Sequence, residues 1–340
     1  MRIENYLHNK DHMNLKRYSY ESKKIFICKI LDNVNLNLLF MKSSKNIFTN
    51  SFDFVSKLNI TENPNDSDFI LVPHDWVHLF KNKIYINYLI DLSRIAPLIV
   101  LNTGDRSPNC QLPNTIQLRT YLHPGESKMN KILIPYPIKP KKLTIRQWKS
   151  SPTISFIGFI PKLGLGTLTS RNPKFMRHPL NSSYYINRKL SSLKLANLSN
   201  DFNVINVARK SFTLRIKNPN LTQEIKDFDE SLVNSDYILC PRGAANTSIR
   251  FYEALSSGAT PILIESGTTL PEISNNQFWT ENILKVKLIA QWKFAIRKDW
   301  KFLEQSDNYL NRQLENFKTF EEELNLEVYV SKLFASYLNK

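Results

Sequence analysis

Residues 235–265 restrict the fold of this chain more than any other stretch. They read Ser235-Asp-Tyr-Ile-Leu-Cys-Pro-Arg-Gly-Ala-Ala-Asn-Thr-Ser-Ile-Arg-Phe-Tyr-Glu-Ala-Leu-Ser-Ser-Gly-Ala-Thr-Pro-Ile-Leu-Ile-Glu265. The pattern is strand, loop, helix, strand. Tyr237 to Cys240 is a short apolar run, and Pro241 to Thr247 is a Pro/Gly/Asn loop. Ser248 stands at an N-cap position, Ile249 to Leu255 has helical periodicity, Gly258 ends the helix, and Pro261 to Ile264 is a second apolar run. The chain has eight glycines, and Gly243 and Gly258 both fall here as punctuation. A helix that starts just after a glycine-bearing turn presents free N–H groups to an anion. Arg242 and Arg250 add formal positive charge, and Glu253, three residues beyond Arg250, can accept hydrogen bonds from ribose hydroxyls. A unit of this kind suits a nucleoside diphosphate.

The rest of the chain repeats the alternation. Lys24 to Leu31, Phe69 to Pro73, Pro97 to Asn102 and Ile132 to Ile134 read as strands, with an amphipathic segment from Val77 to Ala96. Near-continuous apolar runs such as Pro97 to Asn102 mark parallel strands covered on both faces. After the Pro/Lys-rich stretch Pro135 to Lys142, a second series follows: strands at Thr153 to Ile160 and Phe202 to Val207, and helices at Ser183 to Leu195 and Leu221 to Asn234. From Leu288 onward the pattern is helical. At 340 residues the chain exceeds a comfortable single core. The expected class is therefore α/β with parallel sheets in two domains, residues 1–140 and 141–287, and a helical segment at 288–340.

Composition narrows the function classes. A net charge of +16 implies an anionic partner: nucleic acid, a pyrophosphate ligand, or an anionic membrane surface. Zinc-finger spacing and an aromatic single-strand platform are both missing from the sequence, which disfavours nucleic acid. Cys28, Cys110 and Cys240 are odd in number and far apart, so neither a disulfide framework nor a zinc site is expected, and a reducing compartment fits. The polar, mixed-charge start does not resemble a signal peptide, and no run of about 18 apolar residues occurs. A cytoplasmic protein, with peripheral contact to a membrane left open, is the expectation.

The spaced set Pro241, Gly243, Ser248, Arg250, Glu253, Leu255, Gly258 and Pro261 resembles the signature of the exostosin family of glycosyltransferases. Asn65 to Pro73, Ile154 to Gly158 and Asn187-Arg-Lys-Leu190 resemble further segments of that family in the same order. The strong likeness covers residues 235–265, the weaker one 63–275. The resemblance implies two Rossmann-like domains facing a cleft (the GT-B type) and an inverting transfer. It further implies a nucleotide-sugar donor, usually a UDP-sugar, and a glycan or other hydroxyl acceptor. It places Arg188, Arg242, Gly243, Ser248 and Arg250 near the diphosphate, Glu253 at the ribose and Gly158 beside the donor. In a fold of this kind a helix N-terminus and arginines hold the leaving pyrophosphate, so neither a metal nor another cofactor is expected.

The catalytic base is sought on the first domain. Asp105 lies in the loop after the apolar run Pro97 to Asn102, where open α/β sheets place ligands. His74 and Asp75, directly after another strand, are the alternatives. His74-Asp75-Trp-Val-His78 mimics a zinc-protease spacing but lacks the longer acid and a third ligand. Gly164-Leu-Gly166 begins like a dinucleotide fingerprint, yet Thr169 stands at its third glycine position and the stretch reads as a plain loop. Trp292, Ile296, Trp300 and Leu303 share a face of a basic helix; core packing, spanning the two domains, is the favoured reading over a membrane interface. A non-catalytic nucleotide- or sugar-binding subunit of a polysaccharide synthase is the remaining alternative.

Overall fold

The computed structural model describes residues 24–28, 59–72, 76–80, 83–103, 109–122, 126–160, 179–209, 221–243, 246–264, 267–286, 291–305 and 307–338. Two wholly parallel sheets organise them. The first contains β1 (Lys24–Ile27), β2 (Asn59–Thr61), β3 (Phe69–Val72), β4 (Leu98–Leu101), β5 (Thr115–Arg119) and β6 (Lys131–Leu133), in the order β2-β1-β3-β4-β5-β6. The short α1 (Trp76–Leu79) and the longer α2 (Lys83–Ile95) join β3 to β4. The second sheet contains β7 (Thr153–Phe159), β8 (Asn203–Arg209), β9 (Tyr237–Cys240), β10 (Thr260–Ile264) and β11 (Leu284–Val286), in the order β11-β10-β9-β7-β8. Its helices are α3 (Pro179–Ala196), α4 (Leu221–Asn234), α5 (Ile249–Ser256) and α6 (Phe278–Glu281). The expected α/β architecture of two Rossmann-like sheets is what the chain adopts.

The sequence dictates this through burial. Every residue of β4, β9 and β10 is buried, which an apolar strand achieves only when helices cover both faces. β5 is different. Its Gln117 and Arg119 are buried polar residues, so it has no apolar run to announce it. Gln117 is satisfied by the Cys110 backbone (3.2 and 3.1 Å), and Arg119 donates to Asn109 (2.7 Å) and Glu126 (2.8 Å).

The C-terminal helices are α7 (Trp292–Leu303), α8 (Asn308–Thr319) and α9 (Leu326–Leu338), with a π-helical turn at Phe320–Leu324. Trp292, Ile296, Trp300 and Leu303 are buried as expected, but within the core of the second sheet, beside Phe156, Leu239 and Ile262. The helix that reaches the other sheet is α9: Leu326, Val330 and Phe334 pack on Ile25, Leu71, Ile99 and Leu118. Phe320 and Leu324 still belong to the second sheet's core. The chain thus crosses between the cores at Asn325, whose side chain accepts from the Glu327 N–H at 3.1 Å.

The stretch after β6 is an extended strap rather than a loose tether. Tyr136 and Ile138 pack against the core around α5, Lys141 pairs with Asp229 (2.7 Å), and Arg146 is buried. Among the described residues no helix is long and apolar enough to cross a membrane.

Candidate functional site

In both sheets the strand order reverses beside the first strand, and ligands of open parallel sheets bind outside the carboxyl ends at such a reversal. In the second sheet the reversal separates β7 from β9. Gly158 and Phe159 end β7, Arg209 ends β8, and Pro241-Arg-Gly243 follows β9. The residues at these three strand ends therefore lie at the carboxyl edge of the reversal, which is the candidate crevice.

The loop after β9 is closed by a Gly243 N–H to Thr247 carbonyl bond of 2.8 Å. Asn246 fixes it from the side, donating to the Gly267 carbonyl at 2.7 Å and reaching the Leu122 carbonyl at 3.5 Å. Leu122 lies just past β5, so this loop meets the carboxyl edge of the first sheet. Ser248 is the N-cap of α5 in extended geometry (φ −132°, ψ 128°), yet its side chain makes no capping bond. Its Oγ is buried and has no hydrogen-bond partner. Capping serines normally accept from the first helical turn. Here the hydroxyl has no such bond, and within the first turn the Phe251 N–H donates to the Ser248 carbonyl at 3.1 Å.

Arg242 has the same character. It is 7% exposed, its Nε has no partner, and it forms no ion pair among the described residues. Burial lowers its pKa. A buried guanidinium held without a counter-ion is costly, and it is tolerated where an anionic ligand supplies the charge.

Arg250 is pinned. Its Nε donates to the Ile157 carbonyl at 2.9 Å, and its guanidinium lies over the rings of Phe156 (5.5 Å) and Phe228 (5.7 Å). A Cβ on Gly158 would come within 2.6 Å of the Arg250 Nη2. Gly158 thus makes room for an arginine, whereas the sequence suggested room for a ligand. Arg188 is buried and donates to the Phe159 carbonyl at 3.1 Å.

Arg209 is a member that sequence reading missed. Burial lowers its pKa, Glu224, paired at 3.6 Å, opposes that fall, and the charge of Arg250 adds to it. The available signal was its place at the carboxyl end of a strand in a parallel sheet. Arg188, Arg209, Arg242 and Arg250 give the crevice a positive excess over Glu224 and Glu253, suited to a diphosphate.

Glu253 is half-buried, one turn beyond Arg250. Burial raises its pKa, Arg250 and Lys141 oppose that rise, and Asp229 reinforces it. A carboxyl whose folded pKa is raised contributes stability that is complete in acid and lost as pH rises through its titration. Glu253→Gln should therefore raise the melting temperature of the ligand-free protein near neutral pH, with the gain vanishing toward about pH 4. A melting curve taken across that range checks it; a lower melting temperature at neutral pH contradicts the assignment.

His74, Asp75 and Asp105 lie outside the described residues, as does the Gly164–Gly166 loop. Among the described residues on either side, Thr120 Oγ1 donates to the Thr103 carbonyl at 3.4 Å and Arg119 donates to Asn109 at 2.7 Å. Among the described residues no three His, Cys, Asp or Glu side chains gather in a way that could hold a metal.

Residues 185–323, less than half of the chain, match the family model of the RXYLT1 C-terminal domain, and this match spans the 235–265 unit. No curated protein matches the sequence. Among solved structures, the pneumococcal O-GlcNAc transferase GtfA, in complex with UDP and GlcNAc, is 12% identical with a TM-score of 0.37 over 82% of this chain. The chain spans 58% of that protein's length. The calicheamicin glycosyltransferase CalG4 is 10% identical (TM-score 0.34, 82% of this chain and 76% of its own). The glycosyltransferase SnogD from Streptomyces nogalater is 11% identical (TM-score 0.33, 91% and 86%).

Proposed function

We propose that this chain is a glycosyltransferase that binds a nucleotide-sugar, most naturally a UDP-sugar, in the crevice between β7, β9 and the start of α5. The observation that carries the reading is the pairing of a buried Arg242 without a counter-ion and a buried N-cap hydroxyl without a partner among the described residues, at the point where strand order reverses. The match of residues 185–323 to the RXYLT1 C-terminal domain and the exostosin-like spacing of 241–261 support it. In this reading Arg188, Arg242, Ser248 and Arg250 face the diphosphate, and Glu253 accepts from the ribose. As the bond from the anomeric carbon to the β-phosphate oxygen breaks, the departing UDP is stabilised through its diphosphate by fixed positive groups already in place, so little reorganisation is needed. The first sheet presents the acceptor hydroxyl, and Asp105, His74 or Asp75 removes its proton as inversion proceeds.

A nucleotide panel followed by thermal unfolding tests this. UDP at about 100 times its dissociation constant should stabilise the protein by about 2.7 kcal/mol, while ATP and NAD give little. No shift with any nucleoside diphosphate would sink the reading. Asp105→Asn, His74→Gln and Asp75→Asn extend the same experiment to the base. The variant that keeps the UDP shift but loses turnover of the UDP-sugar identifies it. A UDP shift with no turnover of any UDP-sugar by the unaltered protein would instead favour the non-catalytic subunit.

A further inference from the structure

The face of α7 turned away from the core has a composition that the fold does not use. Trp292, Ile296, Trp300 and Leu303 point inward. At 3.6 residues per turn, the opposite arc carries Phe294, Arg297, Lys298, Lys301 and Phe302. Phe294 is 74% exposed and Phe302 52% exposed. Lys298 and Lys301 are exposed between them. The acid within the helix, Asp299, is drawn inward: it accepts from the Tyr237 hydroxyl at 2.7 Å and pairs with Arg312 at 3.4 Å. On one flank, Lys293 and Arg297 are held by Asp201 at 2.7 and 2.6 Å, which neutralises Arg297 and leaves Lys298 and Lys301 to carry the charge of the outer arc. Glu304, at the C-cap, is the next acid along the chain and is exposed.

Two exposed phenylalanines set among lysines on a rigid helix are poorly suited to water and well suited to a lipid interface. The rings can enter the acyl boundary while the lysine stems lie along it, with their ammonium groups among phosphate headgroups. Charge complementarity selects an anionic surface, and the +16 charge of the whole chain acts in the same direction. We infer that the outer face of α7 docks the protein peripherally on an anionic lipid bilayer, through Phe294, Phe302, Lys298 and Lys301. This does not rest on the donor-site reading, since none of these residues belongs to the crevice.

Co-sedimentation of the full chain with vesicles tests it. The protein should bind vesicles of three parts phosphatidylcholine to one part phosphatidylglycerol, less so at high salt, and only weakly bind phosphatidylcholine alone. Lys298→Gln/Lys301→Gln should lower partitioning at least about tenfold, because each lysine near such a surface is worth about a fivefold change. Phe294→Ser/Phe302→Ser should lower it about tenfold or more by removing apolar contact. Lys83→Gln/Lys128→Gln, which removes exposed charge from the first sheet, should stay within about twofold of the unaltered protein. The inference is overturned if anionic vesicles are not bound, if neutral vesicles are bound equally, or if either α7 variant binds like the unaltered chain. A loss of binding in the Lys83/Lys128 control as large as that of the α7 lysine variant also overturns it, because net charge alone would then suffice.

Discussion

Asp236→Ala should destabilise the protein by about 3–5 kcal/mol, the scale expected when one member of a buried ion pair is removed and the other stays behind. Asp236 is 4% exposed and sits just before β9. Its carboxylate accepts from the Thr153 N–H at 2.7 Å and from the Tyr309 hydroxyl, and lies 3.7 Å from the Arg146 Nε. Arg146 arrives from the strap between the two sheets and also donates to the Ser257 carbonyl at 3.1 Å, the C-cap of α5. Gln313 of α8 grips the Arg146 backbone on both sides, at 2.8 and 3.1 Å. One carboxylate therefore ties together the start of β7, the strap, α8 and the far end of α5. Without it, a buried guanidinium loses its counter-ion and the buried Thr153 N–H loses its acceptor. Burial already lowers the Arg146 pKa, and Asp236 is one of the groups that offset this. Urea denaturation followed by indole fluorescence is the natural assay, since Trp300 lies 5.3 Å from the Tyr309 ring and stacks on Trp148 at 5.9 Å. A loss below about 1 kcal/mol would mean that the network is not held in this form. Tyr309→Phe, which removes one hydrogen bond to the carboxylate and no charge, should cost less, about 1.5–3 kcal/mol.

The parts of the fold legible in the sequence are those where burial and periodicity agree. The apolar runs of β4, β9 and β10 are readable because strands covered on both faces have no room for polar residues. The helix at Leu221–Asn234 is readable at its observed bounds, since its apolar stripe and the adjacent strand delimit it. β5 was not readable: Thr115-Ile-Gln-Leu-Arg119 buries its polar side chains by satisfying them with partners distant in sequence. The three-residue edge strands β2 and β11 are too short for any period to show.

At the site, the glycine turn and the N-cap position of Ser248 are local signals and could be placed without a structure. The part played by Gly158 could not. It depends on Arg250, 92 residues away in sequence, donating to the carbonyl of Ile157 across the sheet. Arg209 was invisible for the same reason, since only the strand order brings the end of β8 beside β7. The tryptophan face of α7 was correctly readable as core. Which core it joins, and that α9 makes the crossing instead, follow from tertiary packing that no helical period encodes.

Arg242→Gln/Ser248→Ala removes two buried groups beside the start of α5 that are left without a hydrogen-bond partner among the described residues. Because neither the Arg242 Nε nor the Ser248 Oγ has a partner, the ligand-free variant should melt no lower than the unaltered protein. Its loss should appear in donor binding. Hydrogen bonds to a charged group are each worth about 1.5–3 kcal/mol, so losing two should weaken UDP binding at least about 100-fold. Titration calorimetry of UDP into both proteins measures this directly. The account predicts one UDP per chain for the unaltered protein and a dissociation constant raised by about two orders of magnitude or more in the folded variant. A variant that binds UDP as tightly as the unaltered chain, or an unaltered chain that binds none, would contradict it.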